Sequence, residues 1–277
     1  MKLPIDILDE IFRFTEKPQF VLYFKSVLSR QTIRVLYINL TTINKQCKKG
    51  NLQTIKYLHL IGVKCTQSTM ISAIRYGQFE IVKYLHESIG VNCTEHAMNS
   101  ACQNGYLEIV NYLRETADVK CTEHAMANAG INEHLEIVKY LHETAGVKCT
   151  EYVLEGVIKY NYIEIIKYLH KNAGADFTDN LICISIKHRC FDSFRYIYEV
   201  VDCNKYTINE IKKFAIIHDS NRILTYLHET VGVKYTVKDL EYARLRNSLK
   251  SVICLHDICG VKCTKKELEH ARRFTTF

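Results

Sequence analysis

The sequence predicts an all-α protein, a solenoid of stacked helix-turn-helix repeats that follows a distinct helical module at the N-terminus. Only 2 prolines and 11 glycines occur in 277 residues, which is little turn-forming material for a β-protein. A threonine recurs at intervals of 28 or 29 residues, and a ladder of tyrosines recurs in step with it. Between these ladders, apolar residues follow the spacing of two short helices, neither of which buries its apolar face alone. We therefore expect neighbouring helix pairs to stack.

The composition indicates a folded intracellular protein. Hydrophobic residues make up 47% of the chain, which is enough to bury a large core. Acidic residues interrupt the opening MKLPIDILDE, and no later run approaches about 18 apolar residues, so we expect neither a signal peptide nor a membrane-spanning helix. We therefore expect the protein to be cytoplasmic and its 12 cysteines to be reduced thiols. The net charge of +7 favours acidic partners.

Residues 1 to 37 form the helical module, because they do not fit the repeat. The run LPIDILDEIFRF has a proline just inside a helix start and apolar residues on one face. It resembles the opening of an F-box, a module that docks a ubiquitin-ligase substrate receptor onto a Skp1-type adaptor, although the tryptophan usual in the later helix is missing. The resemblance implies that adaptor contacts are made by Leu3, Pro4, Ile7, Leu8, Ile11 and Phe12. The alternative is a capping helix that shields the apolar face of the first repeat.

Residues 38 to 277 hold eight repeats and a final half repeat that begins CTKKELEHARRF. In the repeat that starts at Thr94, the threonine is a favourable N-cap for a first helix that ends at Gly105. One face of this helix is formed by Ala97, Met98, Ala101 and Cys102. A second apolar stripe, at helical spacing, is formed by Leu107, Ile109, Val110 and Leu113. The repeat is therefore a pair of short amphipathic helices.

The run ACQNGYLEIVNYLRE at residues 101 to 115 resembles the helix-turn-helix half of an ankyrin repeat, through its small residues, its turn glycine and its apolar pair. The period is shorter than the about 33 residues usual in that family, and the TPLH signature is absent. Arg189, Asp219 and Asn247 replace the turn glycine in the later repeats. The resemblance implies a non-enzymatic, monomeric interaction scaffold without a cofactor. Such short repeats resemble those expanded in amoebae and in the large DNA viruses that infect them, in which case the cytoplasm is that of the host.

The repeated cysteines and histidines are interpreted as structural. Cys65, Cys93, Cys121, Cys149 and Cys263 precede the capping threonine, and aromatic residues replace them in other repeats, which indicates a packing position. Stacked helices lie about 8 to 10 Å apart, too far for successive cysteines to form a disulfide. A histidine ladder is expected along the second helices. The cluster of His256, Cys259 and Cys263 lacks a fourth ligand for zinc, so we expect no metal site and no catalytic site.

Two rows of side chains are candidates for binding a partner. The last two positions of the first helices comprise sixteen residues, none of them acidic. This helix-end row includes Arg75, Tyr76, Gln103, Asn104, Lys159, Tyr160, Lys187, His188 and Arg246. A loop row between repeats consists of Lys64, Lys120, Lys148, Lys234 and Lys262. We interpret both rows as a face for an acidic protein segment. The alternatives are cations that only compensate helix C-termini and, less favoured, a surface for nucleic acid.

Overall fold

The computed structural model describes residues 40 to 60, 63 to 200 and 207 to 275. Within these ranges the regular structure is helical, and no strand occurs. The prediction of an all-α fold of ankyrin-like helix pairs is therefore confirmed. The candidate adaptor-binding residues, Leu3 to Phe12, lie outside the described residues. The chain divides into two compact units, an N-terminal unit of residues 1 to 137 and a C-terminal unit of residues 138 to 277.

The N-terminal unit contains three helix pairs and the first helix of a fourth. The pairs are α1 (Leu40–Lys49) with α2 (Leu52–Leu60), α3 (Gln67–Arg75) with α4 (Phe79–Lys83), and α5 (Glu95–Gln103) with α6 (Leu107–Glu115). A π-helical turn, Tyr84–Ser88, continues α4. They are followed by α7 (Glu123–Ile131) and by α8 (Leu135–Glu143), in which the division between the units falls.

Four helix pairs and a single helix make up the rest of the C-terminal unit. The pairs are α9 (Glu151–Lys159) with α10 (Ile163–Asn172), α11 (Asp179–Lys187) with α12 (Phe191–Val200), α13 (Ile208–Ile217) with α14 (Asn221–Glu229), and α15 (Val237–Leu245) with α16 (Leu249–Asp257). The half repeat forms α17 (Lys265–Thr275), which packs against α16.

Each unit has its own core, built from the apolar stripes that the sequence predicts. In the N-terminal unit the first helices α1, α3, α5 and α7 pack side by side, and Met70, Met98 and Leu113 are at most 1% exposed. In the C-terminal unit α9, α11, α13 and α15 do the same, and Ile186 and Phe194 are completely buried. Each such side chain contributes roughly 1.5 to 3 kcal/mol of hydrophobic stabilisation, so the stacking of neighbouring repeats holds each short helix in place.

The turn between the two helices of a repeat always contains a residue with positive φ. In the N-terminal unit Gly77 and Gly105 occupy it, at φ 67° and 81°. A Cβ atom on Gly105 would lie 2.6 Å from the ring of His134, so the next repeat packs directly over this glycine. In the C-terminal unit Arg189 and Asp219 keep the same conformation, at φ 58° and 51°. The turn geometry therefore persists where the glycine does not.

The capping threonines fulfil the sequence prediction in only some repeats. The hydroxyls of Thr94 and Thr207 accept a hydrogen bond, 3.4 Å long in each case, from the backbone N–H three residues later. Thr122, Thr150 and Thr178 keep the extended backbone of an N-cap but form no such bond. These three threonines therefore stand at the predicted N-cap position but lack the side-chain bond of a cap. The hydroxyl of Thr178 instead donates to a glutamate of the preceding repeat, at 2.7 Å.

A buried ion pair joins two first helices of the C-terminal unit. The Lys212 ammonium on α13 lies 2.9 Å from Oδ1 of Asp239 on α15, and each side chain is only 9% exposed. The same carboxylate accepts the backbone N–H of Thr236 at 2.8 Å, in the first turn of α15. The Tyr235 ring covers the ammonium, with its centroid 5.5 Å away. Removal of the carboxylate would therefore leave a buried cation and a helix start without its cap.

Candidate protein-interaction surface

The helix-end row of the N-terminal unit is exposed, but part of it satisfies its own helices. Arg75 is the last residue of α3, and the C-cap Tyr76 is 39% exposed, with the ammonium of Lys48 5.5 Å from its ring centroid. Gln103 is exposed at the end of α5. Asn104, however, donates its Nδ2 to the carbonyl four residues earlier, at 2.7 Å. One amide hydrogen of Asn104 is therefore used to cap its own helix.

A basic cluster lies at the helix ends of the C-terminal unit. It consists of Lys159, Lys187, His188, Arg189 and His218. The two lysines are the last residues of α9 and α11, and the two histidines are the C-caps of α11 and α13. All five side chains reach the surface, His218 being half-buried and the others exposed. Among the described residues, none of the three fixed cations has an ion-pair partner.

Hydrogen bonds between repeats hold these helix ends together. Arg189 donates its Nε to the backbone carbonyl of His218 at 2.7 Å. Cys190 donates its thiol to the carbonyl of Lys159 at 3.4 Å, and the hydroxyl of Ser220 donates to a carbonyl in the last turn of α11 at 2.7 Å. Each repeat thus fixes the helix end of the one before or after it. The five basic groups are therefore presented from a rigid edge, not from mobile loops.

The electrostatics of the two histidines confirm that the cluster is crowded with positive charge. Partial burial lowers the pKa of His188, and the nearby charges of Lys159 and Lys187 lower it further. Partial burial likewise lowers the pKa of His218, with added repulsion from Lys187, Arg189 and His188. All of the charge effects on these two rings are repulsive. Both histidines are consequently held in their neutral form close to pH 7.

The carboxylates nearest to the cluster along the chain are already bound to other groups. Asp192 accepts a hydrogen bond from the side-chain amide of Asn161, at 3.1 Å. Asp219 accepts the backbone N–H of Ser251 at 2.9 Å, in the first turn of α16. Both are thus fixed in structural bonds and do not pair with the lysines. These two carboxylates therefore do not neutralise the positive potential of the cluster.

Aromatic side chains flank the basic cluster. The rings of Tyr160 and Tyr162 stack with their centroids 6.1 Å apart and their planes 12° from parallel. Tyr160 is 52% exposed, directly after Lys159. Further along the same row, Arg246 is exposed at the end of α15, with its guanidinium 5.4 Å from the ring centroid of Tyr242. The row therefore combines flat apolar surface with fixed positive charge.

The lysines of the loop row are exposed, and acidic residues lie near some of them. Lys120 and Lys148 are exposed, and the acidic residues Glu123 and Glu151 follow three positions later, at the first positions of α7 and α9. Hydrogen bonds from Thr178 and an asparagine lower the pKa of Glu151, which keeps it ionised. Lys64, Lys234 and Lys262 are exposed as well. At Lys120 and Lys148 the nearby carboxylates make the row a weaker attraction for an acidic segment than the basic cluster.

The repeated cysteines do not form a reactive or metal-binding array. Cys65, Cys93, Cys121, Cys149 and Cys263 are free and partly buried. Burial raises the pKa of Cys93 and of Cys149 to about 11, which keeps both thiols protonated. Their loop position leaves one side of each side chain in contact with solvent.

Two side chains of the candidate zinc cluster, His256 and Cys259, form hydrogen bonds with groups outside the cluster. His256 donates its Nδ1 to the carbonyl of Val261, at 3.1 Å. Cys259 hydrogen-bonds to Cys254, which lowers the pKa of the Cys254 thiol to about 7 and raises that of Cys259. In the part of the chain that the structure describes, no three histidine, cysteine or carboxylate side chains converge to hold a metal ion.

The histidine ladder makes contacts that sequence reasoning missed. His86 Nδ1 lies 2.8 Å from the Tyr112 hydroxyl of the next repeat, and that hydroxyl donates to Glu87 at 3.0 Å. Because a hydroxyl has one hydrogen and a carboxylate only accepts, His86 must carry its proton on Nδ1. His142 makes the equivalent contact with Tyr168 at 3.1 Å. The signal was present in the sequence, since the two ladders keep the same period.

Sequence reasoning also missed part of the basic cluster. It placed Lys159, Lys187, His188 and His218 among the sixteen helix-end positions but assigned Arg189 only to the turn. The structure brings all five together because the turn and the C-cap of neighbouring repeats meet at one edge.

Across the described ranges, no helix has both the length and the apolar character needed to cross a bilayer.

Comparison with known proteins identifies the repeats. A family model for ankyrin repeats (3 copies) matches residues 43 to 124, the stretch from α1 to the start of α7. No curated protein matches the chain. Ankyrin repeats indicate an interaction scaffold with protein partners.

Proposed function

We propose that this chain, in which residues 43 to 124 match ankyrin repeats, is a scaffold that captures an acidic segment of another protein along the helix-end row. The observation that supports this proposal most directly is the basic cluster of the C-terminal unit. Its lysines and its arginine are exposed, held at a rigid edge and without ion-pair partners among the described residues. The neighbouring stacked tyrosines add an apolar surface for the side chains between the acidic groups.

Compensation of helix C-termini does not account for the whole cluster. A helix end carries about half a negative charge, so the ends of α9, α11 and α13 together supply roughly 1.5 negative charges. Lys159, Lys187 and Arg189 supply three positive charges in the same place. The net potential is therefore positive even before either histidine is protonated, and it favours an acidic ligand.

Charge reversal tests the proposal. The double variant Lys159→Glu/Lys187→Glu should bind the acidic partner at least about tenfold more weakly than the wild type at low salt, because attraction becomes repulsion. Lys171→Glu/Lys250→Glu is the matched control, since both lysines are exposed and lie on second helices of the same unit. Arg75→Glu reports separately on the row of the N-terminal unit. Equal affinity of the wild type and the helix-end variant would contradict the proposal.

The partner would be found by affinity purification of the full chain followed by mass spectrometry. Nucleic acid is the alternative ligand, and it predicts binding to random oligonucleotides that falls steeply with rising salt. We place the scaffold in the cytoplasm as a monomer, where its thiols stay reduced. In this setting it needs no cofactor and catalyses no reaction.

A finer version of the proposal gives the scaffold a role in ubiquitination. In that version the module at residues 1 to 37 docks a Skp1-type adaptor, and the repeats recruit the target. Its support is the sequence resemblance of LPIDIL to an F-box opening. An Ile7→Asp variant should then lose the adaptor in a pull-down but keep the acidic partner. Failure of the wild-type chain to retain the adaptor would leave the scaffold without this role.

A further inference from the structure

The basic cluster contains two kinds of cation. Lys159, Lys187 and Arg189 carry their charges at every physiological pH. His188 and His218 lie among them and change charge in the range between about pH 5 and 8. The cluster is thus a permanently charged site with two additional titratable positions.

The charges that act on the two rings are all positive. The charged groups of the packed elements are Lys159 on α9, Lys187 and Arg189 on α11 and its turn, Asp192 on α12, Asp219 in the turn after α13, and Arg246 at the end of α15. The two carboxylates are bound to Asn161 and Ser251, and neither affects the titration of the histidines. Partial burial lowers the pKa of both histidines, and repulsion from the neighbouring cations, which neither carboxylate offsets, lowers it further.

An acidic ligand would supply the missing anion. Carboxylates bound between Lys159 and Lys187 would neutralise the charges that repel a proton from His188, and would attract the proton directly. By linkage, a ligand that raises the proton affinity of the histidines must itself bind more tightly when they are protonated. Glutamate carboxylates remain ionised down to about pH 5, so the ligand keeps its charge throughout this range.

We infer that the acidic segment docks on this cluster together with protons, so that His188 and His218 become charged on binding and capture is tighter in mildly acidic medium. This inference rests on the proposed function and specifies its site and its regulation. The ring of His218 has Phe214 beside it, at a centroid distance of 5.0 Å, which limits its movement away from the ligand. The lysines determine that an anion binds, and the histidines determine at which pH it binds best.

The test uses the full chain and a fluorescein-labelled, glutamate-rich peptide, followed by fluorescence anisotropy at about pH 8 and about pH 6. The wild type should bind at least about threefold more tightly at the lower pH. The variant His188→Gln/His218→Gln should match the wild type at pH 8 and lose the gain at pH 6, because glutamine resembles a neutral imidazole. Calorimetry in two buffers of different ionisation enthalpy should show proton uptake by the wild type alone.

The outcomes separate this inference from the proposed function. Binding that is equally tight at both pH values, or a gain at pH 6 that persists in the glutamine variant, would overturn proton coupling but leave the scaffold proposal intact. Tight binding that Lys159→Glu/Lys187→Glu does not weaken would overturn the docking position. A peptide that fails to bind at either pH would overturn both. Circular dichroism of each variant establishes that the helices are retained.

Discussion

Removing the carboxylate of Asp219 should loosen the start of a helix that belongs to the following repeat. Asp219 lies in the turn between α13 and α14, at φ 51°, and its Oδ1 accepts the backbone N–H of Ser251 at 2.9 Å. Ser251 is completely buried in the first turn of α16, and its hydroxyl also has the carbonyl of Ile216 within 3.0 Å. An Asp219→Gly variant keeps the turn conformation but leaves the Ser251 N–H without its acceptor.

The expected magnitude follows from three contributions. A hydrogen bond to a charged group contributes about 1.5 to 3 kcal/mol, and the lower end applies because Asp219 is partly exposed. The carboxylate at the start of α16 contributes a further 0.3 kcal/mol or so through the helix dipole. Glycine offsets about 0.5 kcal/mol because it adopts positive φ without strain. The net loss is about 1.3 kcal/mol, equivalent to roughly a tenfold change in an opening equilibrium.

Native-state hydrogen exchange of the Ser251 amide measures this loss locally, which matters because stacked repeats need not unfold in one step. Asp219→Gly should accelerate that exchange about tenfold. Asp219→Asn is the control, since asparagine tolerates positive φ and its amide oxygen still accepts the bond. Exchange at the wild-type rate in the glycine variant would refute the cross-repeat cap. If exchange is accelerated equally in the glycine and asparagine variants, the side-chain oxygen that aspartate and asparagine have in common does not protect the Ser251 amide.

Three further predictions concern stability. Gly105→Ala should destabilise the chain by about 1 to 2 kcal/mol more than Gly90→Ala in thermal unfolding, because both have positive φ but only a Cβ at Gly105 meets a neighbouring ring. Asp239→Ala should cost about 3 kcal/mol in urea unfolding and Lys212→Met less, since the carboxylate left by the second variant still accepts two hydrogen bonds from Thr236, whereas the ammonium left by the first loses its ion-pair partner. The free energy of unfolding should also fall as pH decreases through about 6.5. The reason is that the two histidines of the basic cluster have a lower pKa in the folded than in the unfolded chain, so that unfolding takes up protons. Replacing both histidines with glutamine should make the free energy of unfolding less dependent on pH in this range.

Sequence periodicity predicted most of the fold because the determinants of each helix are local. The apolar stripes, the extended residue at Thr94 and the turn at Gly105 all lie within one repeat, and the helices begin and end at or next to the expected positions. Where a cap depends on a partner in another repeat, the prediction failed. Thr178 bonds to a residue of the preceding repeat, and Asp219 caps a helix that begins 30 positions later.

The candidate site was predicted only in part, for the same reason. Lys159 and Lys187 stand out in the sequence because they end successive first helices. Arg189 stands in a turn, outside the helix-end positions, and only the stacking of the helix ends brings it to His218 and the lysines. Periodicity identifies equivalent positions, but it does not give the distance between non-equivalent positions of neighbouring repeats.

The ladder histidines use one ring nitrogen, Nδ1, to join neighbouring repeats. His86 donates from Nδ1 to the Tyr112 hydroxyl, so its other ring nitrogen, Nε2, takes no part in the bond between the two repeats. His142 and Tyr168 behave alike within the C-terminal unit. The contacts between these repeats and the charge of the basic cluster therefore depend on different histidines. The proposed surface can change its charge at His188 and His218 without using any side chain of the ladder.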